Sequence, residues 1–398
     1  MTAGFASPTY LPITIVGAGL GGLALGSILH RHGIEATVLD LDPSRSARGQ
    51  GGMLDIHEDS GQVALRAADL HDQFRTLIHP GGQSLRIVDK HGAALLDQPD
   101  TGQGDRPEVE RGQLRNLLLD SLPARTVRWN TKVTAVRTLA GGRHEVTVDD
   151  GTILTTDLLV GADGAWSRVR PLLSAATPAY TGVSFIEAEL HEADERHPVE
   201  AALVGRGMFF SLDDGQGFLA HRQPDGSLHV YTCLTIDEHA AAALPVTDPA
   251  AIKNVMLSLF DDWDDGLRGL VEHADTAFVT RPIYALPVQH RWDRVAGVTL
   301  VGDAAHLMPP VGEGANLAMQ DGAELALAIA AHPDDLDAAL LQYEHQMFPR
   351  SAAAATASAA SLQMLLEQNG AANLAALFAN EGPQHEPTSP MPQPEPQS

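Results

Sequence analysis

Cysteine is almost missing from this 398-residue chain: Cys233 stands alone, so there is no internal disulfide, no CxxC redox pair and no cysteine-rich metal site. The disulfide reductases are thereby excluded. Basic residues are scarce as well, 26 Lys and Arg against 51 Asp and Glu, for a formal charge of −25. That field disfavours nucleic acid and anionic membrane as partners and points to a soluble, cytoplasmic protein. Internal repeats are missing, and the histidines show no metal-ligand spacing, so no metal is expected. The uncharged run 11–29 is the nearest approach to a membrane span or signal peptide. Its glycines weaken a lipid-buried helix, no Lys or Arg precedes it, and it leads into an Asp-terminated strand rather than a cleavage site.

What the chain does have is a nucleotide-binding pattern at its start. Residues 13–16 are an apolar, partly β-branched run of strand type. Gly17, Gly19 and Gly22 follow in GxGxxG spacing, 20–31 continue as a helix stopped by Gly33, and 36–39 form a second apolar strand ending in Asp40. Gly17 permits the tight turn, Gly19 lets the backbone approach a pyrophosphate, and Gly22 lets the helix lie close on the sheet. The helix N-terminus offers free N–H groups to the phosphates. Asp40 is placed to accept hydrogen bonds from a ribose diol and would repel a 2′-phosphate, so this cleft is expected to take the ADP-ribose of FAD or NAD rather than NADP.

Further along, the basic, Gly-rich loop 45–52 is either solvated surface or a cover over the cofactor, with Arg48 meeting a phosphate and Asp55 a hydroxyl or the flavin edge. Residues 61–74 read as one helix, 85–88 and 94–96 as a hairpin, and 110–122 as a helix headed by Arg111. A cation at a helix start is disfavoured by the dipole, which suggests an anionic ligand nearby; Arg115, one turn on, reads as a surface or salt-bridging residue. A buried strand then delivers Asp163 and Gly164 to a second dinucleotide-facing turn. From 180 to 287 the runs 184–190, 207–212, 217–222 and 228–234 suggest an inserted, mostly antiparallel sheet, with a helix over 255–271 and a returning strand over 275–287. Met208, Phe209, Phe210 and Phe218 are pocket wall or sheet core; alternation does not choose the face. A third buried strand ends in Asp303, with His306 expected to pack between strand and loop. The bend containing Pro310 and Gly314 precedes a helix start able to present N–H groups to a ring carbonyl or phosphate. Residues 334–364 are helix-forming with a break or kink at Pro349, 362–378 are apolar and Ala-rich, and 381–398, rich in Pro, Gln and Glu, should be disordered.

Three motifs therefore stand in one order: Gly17-Ala18-Gly19-Leu20-Gly21-Gly22, Asp163-Gly164, and Gly302-Asp303 with 309–316. This combination resembles the group A, single-component FAD-dependent aromatic hydroxylases. The segments 51–57, 302–310 and 342–348 are most similar to the tetracycline-inactivating (TetX-type) monooxygenases. The resemblance implies an α/β fold: a Rossmann-like, glutathione-reductase-type FAD-binding domain (1–175 with 288–335), an inserted, mainly antiparallel β-sheet substrate domain (176–287) and a C-terminal helical segment (336–380). It also implies that Asp55, Arg111 and Asp303 contact FAD, that Arg48 contacts NADPH, and that the glycines and Asp40 hold the ADP portion, with Asp163, Pro310 and Gly314 completing the cofactor site. Ser227-Leu228-His229 resembles the family's substrate-binding histidine segment, with Glu187 where an amide is usual and Arg206 near the position of a pocket arginine; Leu41 replaces an arginine. The implied activity is NADPH-dependent insertion of one oxygen atom from O2 into a polycyclic or phenolic substrate through a flavin C4a-hydroperoxide, tetracyclines included, by a monomer. The alternatives are a related hydroxylase of another aromatic or polyketide metabolite, and a flavin-linked dehydrogenase or reductase without oxygen insertion.

Overall fold

The strand Thr9–Val16 organises the first sheet. Its Ile13, Ile15 and Val16 side chains are buried, and it pairs in parallel with Thr37–Leu39 on one side and Ile153–Gly161 on the other. Val127–Arg128 extends one edge, the antiparallel strands His144–Val148 and Val133–Thr138 extend the other, and Val298–Leu300 joins Ile153–Gly161 in parallel. These positions come from a computed structural model that describes residues 9–47, 51–102 and 104–380. Arg48 and the tail 381–398 lie outside the described residues.

The helix Leu20–Arg31 connects the first two strands and is buried throughout from Leu20 to Leu29. It has no polar face because the sheet covers one side and the helix Glu313–Ala331 the other. The two helices meet at glycines: a Cβ on Gly21 would lie 2.6 Å from the Ala318 carbonyl oxygen, and one on Gly322 would lie 2.4 Å from that of Gly21. Burial between protein layers therefore accounts for the uncharged run, and among the described residues no helix is long and apolar enough to cross a membrane.

The second sheet has seven strands, in the order Val279–Ala285, Ala179–Leu190, Leu228–Thr235, Gln216–Arg222, Met208–Asp213, Leu85–Val88, Ala94–Gln98. All neighbours are antiparallel except Met208–Asp213 with Leu85–Val88. The hairpin formed by Leu85–Val88 and Ala94–Gln98, assigned from sequence to the N-terminal domain, thus belongs to this sheet; its local pattern marks a hairpin but carries no information about which distant edge it joins. Phe209 and Phe218 lie on the face that packs with Phe260 and Trp263 against the helices Pro198–Val204, Pro249–Leu259 and Asp265–Glu272. Phe210 lies on the opposite face with Phe185, Tyr231, Cys233 and Leu362, and Met208 shares that face by alternation.

Two expected helices are corrected, and a third is settled between two alternatives. Residues 61–74 form two helices, Gly61–Ala67 and His71–Arg75, separated where Asp69 takes φ 61°. The helix expected over 255–271 is also two, Pro249–Leu259 and Asp265–Glu272, each begun by an aspartate, Asp248 and Asp264, whose side chain accepts first-turn N–H bonds. Of the break or kink expected at Pro349, the break does not occur: Pro349 sits within one helix, Leu336–Leu365. A mid-helix proline costs about 3 kcal/mol locally, but both halves are tied to the body of the protein. The Tyr343 hydroxyl donates to the Leu300 carbonyl at 2.8 Å, Arg350 reaches Asp321 at 2.8 Å, and Leu362 is buried against the second sheet.

Candidate functional site

Strand register brings the three sequence motifs together. Val16 stands opposite Gly161, and Gly161 opposite Leu300, so the turns that follow emerge side by side from the same edge of the parallel sheet. That edge is where α/β sheets bind ligands. Gly17 takes φ 107° within 2.2 Å, measured from an added Cβ, of the Ala162 carbonyl oxygen; a Cβ on Gly22 would stand 2.2 Å from the carbonyl oxygen of Gly17. Gly19 differs: it is exposed, and a Cβ there would meet no atom of the described residues within 4 Å. The helix it begins has no side-chain cap and no acidic residue in its first turn. Its N–H groups and the bare surface of Gly19 fit a dinucleotide pyrophosphate.

Asp40 is buried and acts first on the protein itself. One carboxylate oxygen accepts the Ala18 N–H at 2.6 Å and the other accepts the Asp42 N–H at 2.8 Å, pinning the end of the second strand to the glycine turn. Of the two readings of Arg115, surface or salt-bridging, the second holds: a terminal nitrogen lies 3.9 Å from an Asp42 carboxylate oxygen. Arg115 is 3% exposed, donates from Nε to the Ala18 carbonyl at 3.0 Å and from a terminal nitrogen to the Arg45 carbonyl at 3.1 Å, and lies over the Trp129 ring at 5.2 Å. It clamps the glycine turn and the basic loop from below. The signal that could have found it is its place one turn before Leu118, on the buried side of Arg111–Asp120.

The second half of the cleft is built from Asp55, Arg111, Asp303 and the start of Glu313–Ala331. Met53–Asp55 pairs with Glu108–Glu110, and the Arg111 N–H donates to the Gly52 carbonyl at 3.1 Å, so Arg111 begins its helix directly against the Gly51-Gly52 turn. Asn316, the last residue of the 309–316 motif, ties this strand to the helix start through its side chain: its Oδ1 accepts the His57 N–H at 2.9 Å, and its Nδ2 donates to the carbonyls of Asp55 at 2.8 Å and Gly312 at 3.2 Å. A Cβ on Gly312 would lie 3.4 Å from an Asp55 carboxylate oxygen, and one on Gly314 3.9 Å from an Asp303 oxygen. Pro310 is exposed beside them. Asp303 opens to solvent within a cleft that protein otherwise surrounds; this crowding raises its pKa above the ordinary carboxylate value, against the opposing positive charges of His306 and Arg111. Glu108 is buried with one oxygen unpartnered among the described residues, and burial, reinforced by the Asp55 charge, pushes its carboxyl up to about 8. Asp163 uses one oxygen to accept the Arg168 N–H at 2.7 Å; the other is buried without a partner among the described residues, and burial raises this carboxyl too.

Under Asp303 lies a charged network. Asp321, fully buried, accepts the Gly302 N–H at 2.8 Å, His306 Nε2 at 2.6 Å and an Arg350 N–H at 2.8 Å. Burial opposes the charged form of His306, but the Asp321 carboxylate outweighs it and raises the imidazole pKa. His306 therefore anchors the strand-to-loop turn that carries Asp303.

Across the cleft, a Cβ on Gly52 would lie 3.7 Å from the Tyr231 hydroxyl, which sets the Tyr231 face of the second sheet opposite Arg111. On that face Glu187 stands opposite Tyr231 and Glu189 opposite His229. His229 is 1% exposed, with Nδ1 3.0 Å from Glu189 and Nε2 3.3 Å from Glu187, the latter an ion-pair contact not aligned as a hydrogen bond. Glu187 also accepts from Arg281 Nε at 2.6 Å. The structure brings Glu187 and His229 together and leaves Arg206 out: it is exposed alongside Gly81, beyond the end of Met208–Asp213. The guanidinium that joins the pair is Arg281, which no local pattern marks. Beside this face is a pocket of about 460 Å³ lined chiefly by apolar groups, among them Val183, Leu286, Met308, Pro309 and Leu362.

The paired charges fix a pH window. Burial disfavours the His229 cation, but Glu187 and Glu189 raise its pKa, while contact with His229 and then Arg281 holds Glu187 at about 2. The His229 contribution is fully present below the unfolded histidine pKa of about 6.5 and is lost as pH rises through the higher folded value; that of Glu187 is present above the unfolded glutamate pKa of about 4.3 and is lost as pH falls toward its depressed value. His229→Gln is accordingly expected to destabilise the protein more at pH 5.5 than at pH 9. Urea unfolding at both pH values reads this directly, and an equal loss at both would contradict the ion pairing.

The FAD binding domain family matches residues 10–358 of this chain. Monooxygenase penA of Penicillium thymicola is 33% identical, over 90% of this chain and 96% of its own. Two solved structures share the fold: Klebsiella pneumoniae HpxO complexed with FAD and uric acid (21% identity, TM-score 0.76, 95% of this chain and 93% of HpxO) and the tetracycline destructase Tet(51) (18%, 0.70, 94% and 95%). The tetracycline-inactivating enzymes are thus among the structural neighbours, without being singled out from other FAD hydroxylases. With the dinucleotide cradle, the converging strand-end turns and the matched span in hand, the chain belongs to the FAD-binding flavin monooxygenase family.

Proposed function

We propose that this monooxygenase consumes NADPH and O2 to place one oxygen atom on a polycyclic or phenolic substrate held between the second sheet and the 303–310 turn, with tetracyclines among the compounds it could accept. The observation that carries the reading is the facing of two unlike walls: a cofactor edge built from Asp55, Arg111, Asp303 and a helix N-terminus, and a sheet face carrying Tyr231, Glu187 and Arg281 beside an apolar pocket. Bound FAD supplies the electron transfer and the activation of O2. Gly17, Gly19, Gly22 and Asp40 would hold its ADP half. Asp55, Arg111, Asp163 and Asp303, with the backbone from Pro310 to Gly314, would hold the remainder, N–H donors at the helix start meeting negative charge. Asp40 makes the ADP cleft unsuited to a 2′-phosphate, so NADPH would be met elsewhere, with Arg48 as its phosphate contact. Apolar lining from Met308, Pro309 and Leu362 would exclude water while oxygen is transferred. His229, enclosed by two carboxylates, would position Glu187 toward the substrate.

The test is substrate-stimulated NADPH oxidation under labelled O2, with tetracycline in the panel. Product heavier by one labelled oxygen is expected. Stimulated NADPH oxidation without label in any product would replace the reading by a flavin-linked reductase. In parallel, Asp303→Ala should purify with little flavin yet keep its circular dichroism, because losing one charge-assisted hydrogen bond costs about 1.5–3 kcal/mol, roughly ten- to hundredfold in cofactor affinity. Full FAD occupancy in that variant would overturn the role given to Asp303.

A further inference from the structure

On the far side of the second sheet, among the helices that cover its other face, His197, Glu200 and His273 each bring one donor atom within 4.8 Å of the others. The geometry points to a divalent-cation site at these three residues, suited to zinc or a similar first-row ion, that clamps Pro198–Val204 to the end of Asp265–Glu272. His197 immediately precedes the first of these helices, Glu200 lies in its first turn, and His273 immediately follows the second. An ion held there would join two segments that local sequence does not connect.

Two imidazoles and a carboxylate are a common zinc donor set, and metal–ligand distances of about 2.0–2.2 Å put tetrahedral donors roughly 3.3 Å apart. Glu200 Oε1 and His273 Nδ1 are already 2.8 Å apart. Closing the set therefore takes only small side-chain rotations. Glu200 is 3% exposed, and His273 is its one ion-pair partner among the described residues. A buried carboxylate needs compensating charge, which a dication supplies. The carboxylate also has a dedicated space: a Cβ on Gly269 would lie 2.1 Å from Glu200 Oε1.

An orienting shell is in place as well. Asp275 meets His197 Nε2 at 3.0 Å and is itself held by Arg196 at 2.6 Å and by the His191 N–H at 2.8 Å, so the ring is aligned before any ion arrives. The His197 and His273 rings are stacked at 6.1 Å and 20°. With half of the His273 side chain exposed, an ion has a path in.

The test uses the full-length flavin-loaded protein, stripped with a chelator and titrated with zinc chloride by calorimetry, with metal analysis and thermal unfolding alongside. One zinc per chain at micromolar or tighter Kd is expected, with a rise in Tm of about 5 °C at saturating metal. His273→Ala, at a half-exposed position that tolerates truncation, should weaken binding at least about tenfold and abolish the rise. His239→Ala, an exposed histidine elsewhere, should leave both unchanged. Absence of stoichiometric zinc, or equal binding by His273→Ala and the unaltered protein, would overturn the site.

Discussion

Asp321→Ala is expected to produce a protein that unfolds at far lower temperature and purifies without flavin, although Asp321 touches no part of the proposed cofactor surface. The carboxylate is fully buried and serves three donors, the Gly302 N–H, His306 and Arg350. Removing it leaves the His306 cation buried and the Gly302 N–H without an acceptor. Breaking a buried charge pair costs about 3–5 kcal/mol, a large share of the roughly 5–15 kcal/mol that holds a typical domain together. The damage falls on the turn that aims Asp303 into the cleft. Asp321→Asn, which keeps an acceptor but no charge, should lie between the two. Urea unfolding of the flavin-free forms measures the order, and a Tm for Asp321→Ala within 2 °C of the unaltered protein would show that the network does not carry the turn.

The second large effect separates two glycines that share one motif. Gly17→Ala must hold an L side chain at φ 107° with its Cβ 2.2 Å from the Ala162 backbone oxygen, on a neighbouring strand end that cannot rotate away. Strain and overpacking together are expected to cost about 3 kcal/mol or more, and the variant should be largely insoluble. Gly19→Ala has ordinary backbone (φ −76°) and, among the described residues, no atom within 4 Å of the new methyl group. Its flavin-free form should unfold within about 0.5 kcal/mol of the unaltered protein, while its FAD affinity falls at least about tenfold, because the methyl group stands where a pyrophosphate must approach the helix start. Fluorescence titration with FAD and unfolding of the flavin-free protein distinguish the two. If Gly19→Ala bound FAD normally, the cradle would be misplaced.

The ends of the strands were readable because the information is local. A glycine turn, an apolar run and the acid that terminates it lie within a few residues of each other, which is why Gly17, Asp163 and Asp303 could be marked before their register was known. For the opposite reason, residue order does not choose between the two alternatives for Arg115, which is the salt-bridging residue, 3.9 Å from an Asp42 carboxylate oxygen. Its partners include the Asp42 carboxylate and the carbonyls of Ala18 and Arg45, on segments that precede it by many residues. Arg206 shows the same limit: it lies near the expected position in the chain, but the strand begins only after it, at Met208, and the preceding turn leaves it exposed, whereas Arg281, on the returning strand, reaches Glu187.

From residue order alone come the dinucleotide turn, the three acid-terminated strand ends, the inserted sheet and the absence of cysteine chemistry, all of which depend on neighbours in the chain or on composition. Tertiary structure alone decided that the 85–98 hairpin completes the second sheet, that Asn316 ties Asp55 to a helix start, that Asp321, His306 and Arg350 support Asp303, and that His197, Glu200 and His273 converge behind the sheet. Each of these depends on strand register or helix packing between distant segments, and a one-residue slip in register would turn every such side chain to the other face. The opening glycine turn needs only its own few residues to form; what it faces is set by where Gly161 and Leu300 stand beside Val16.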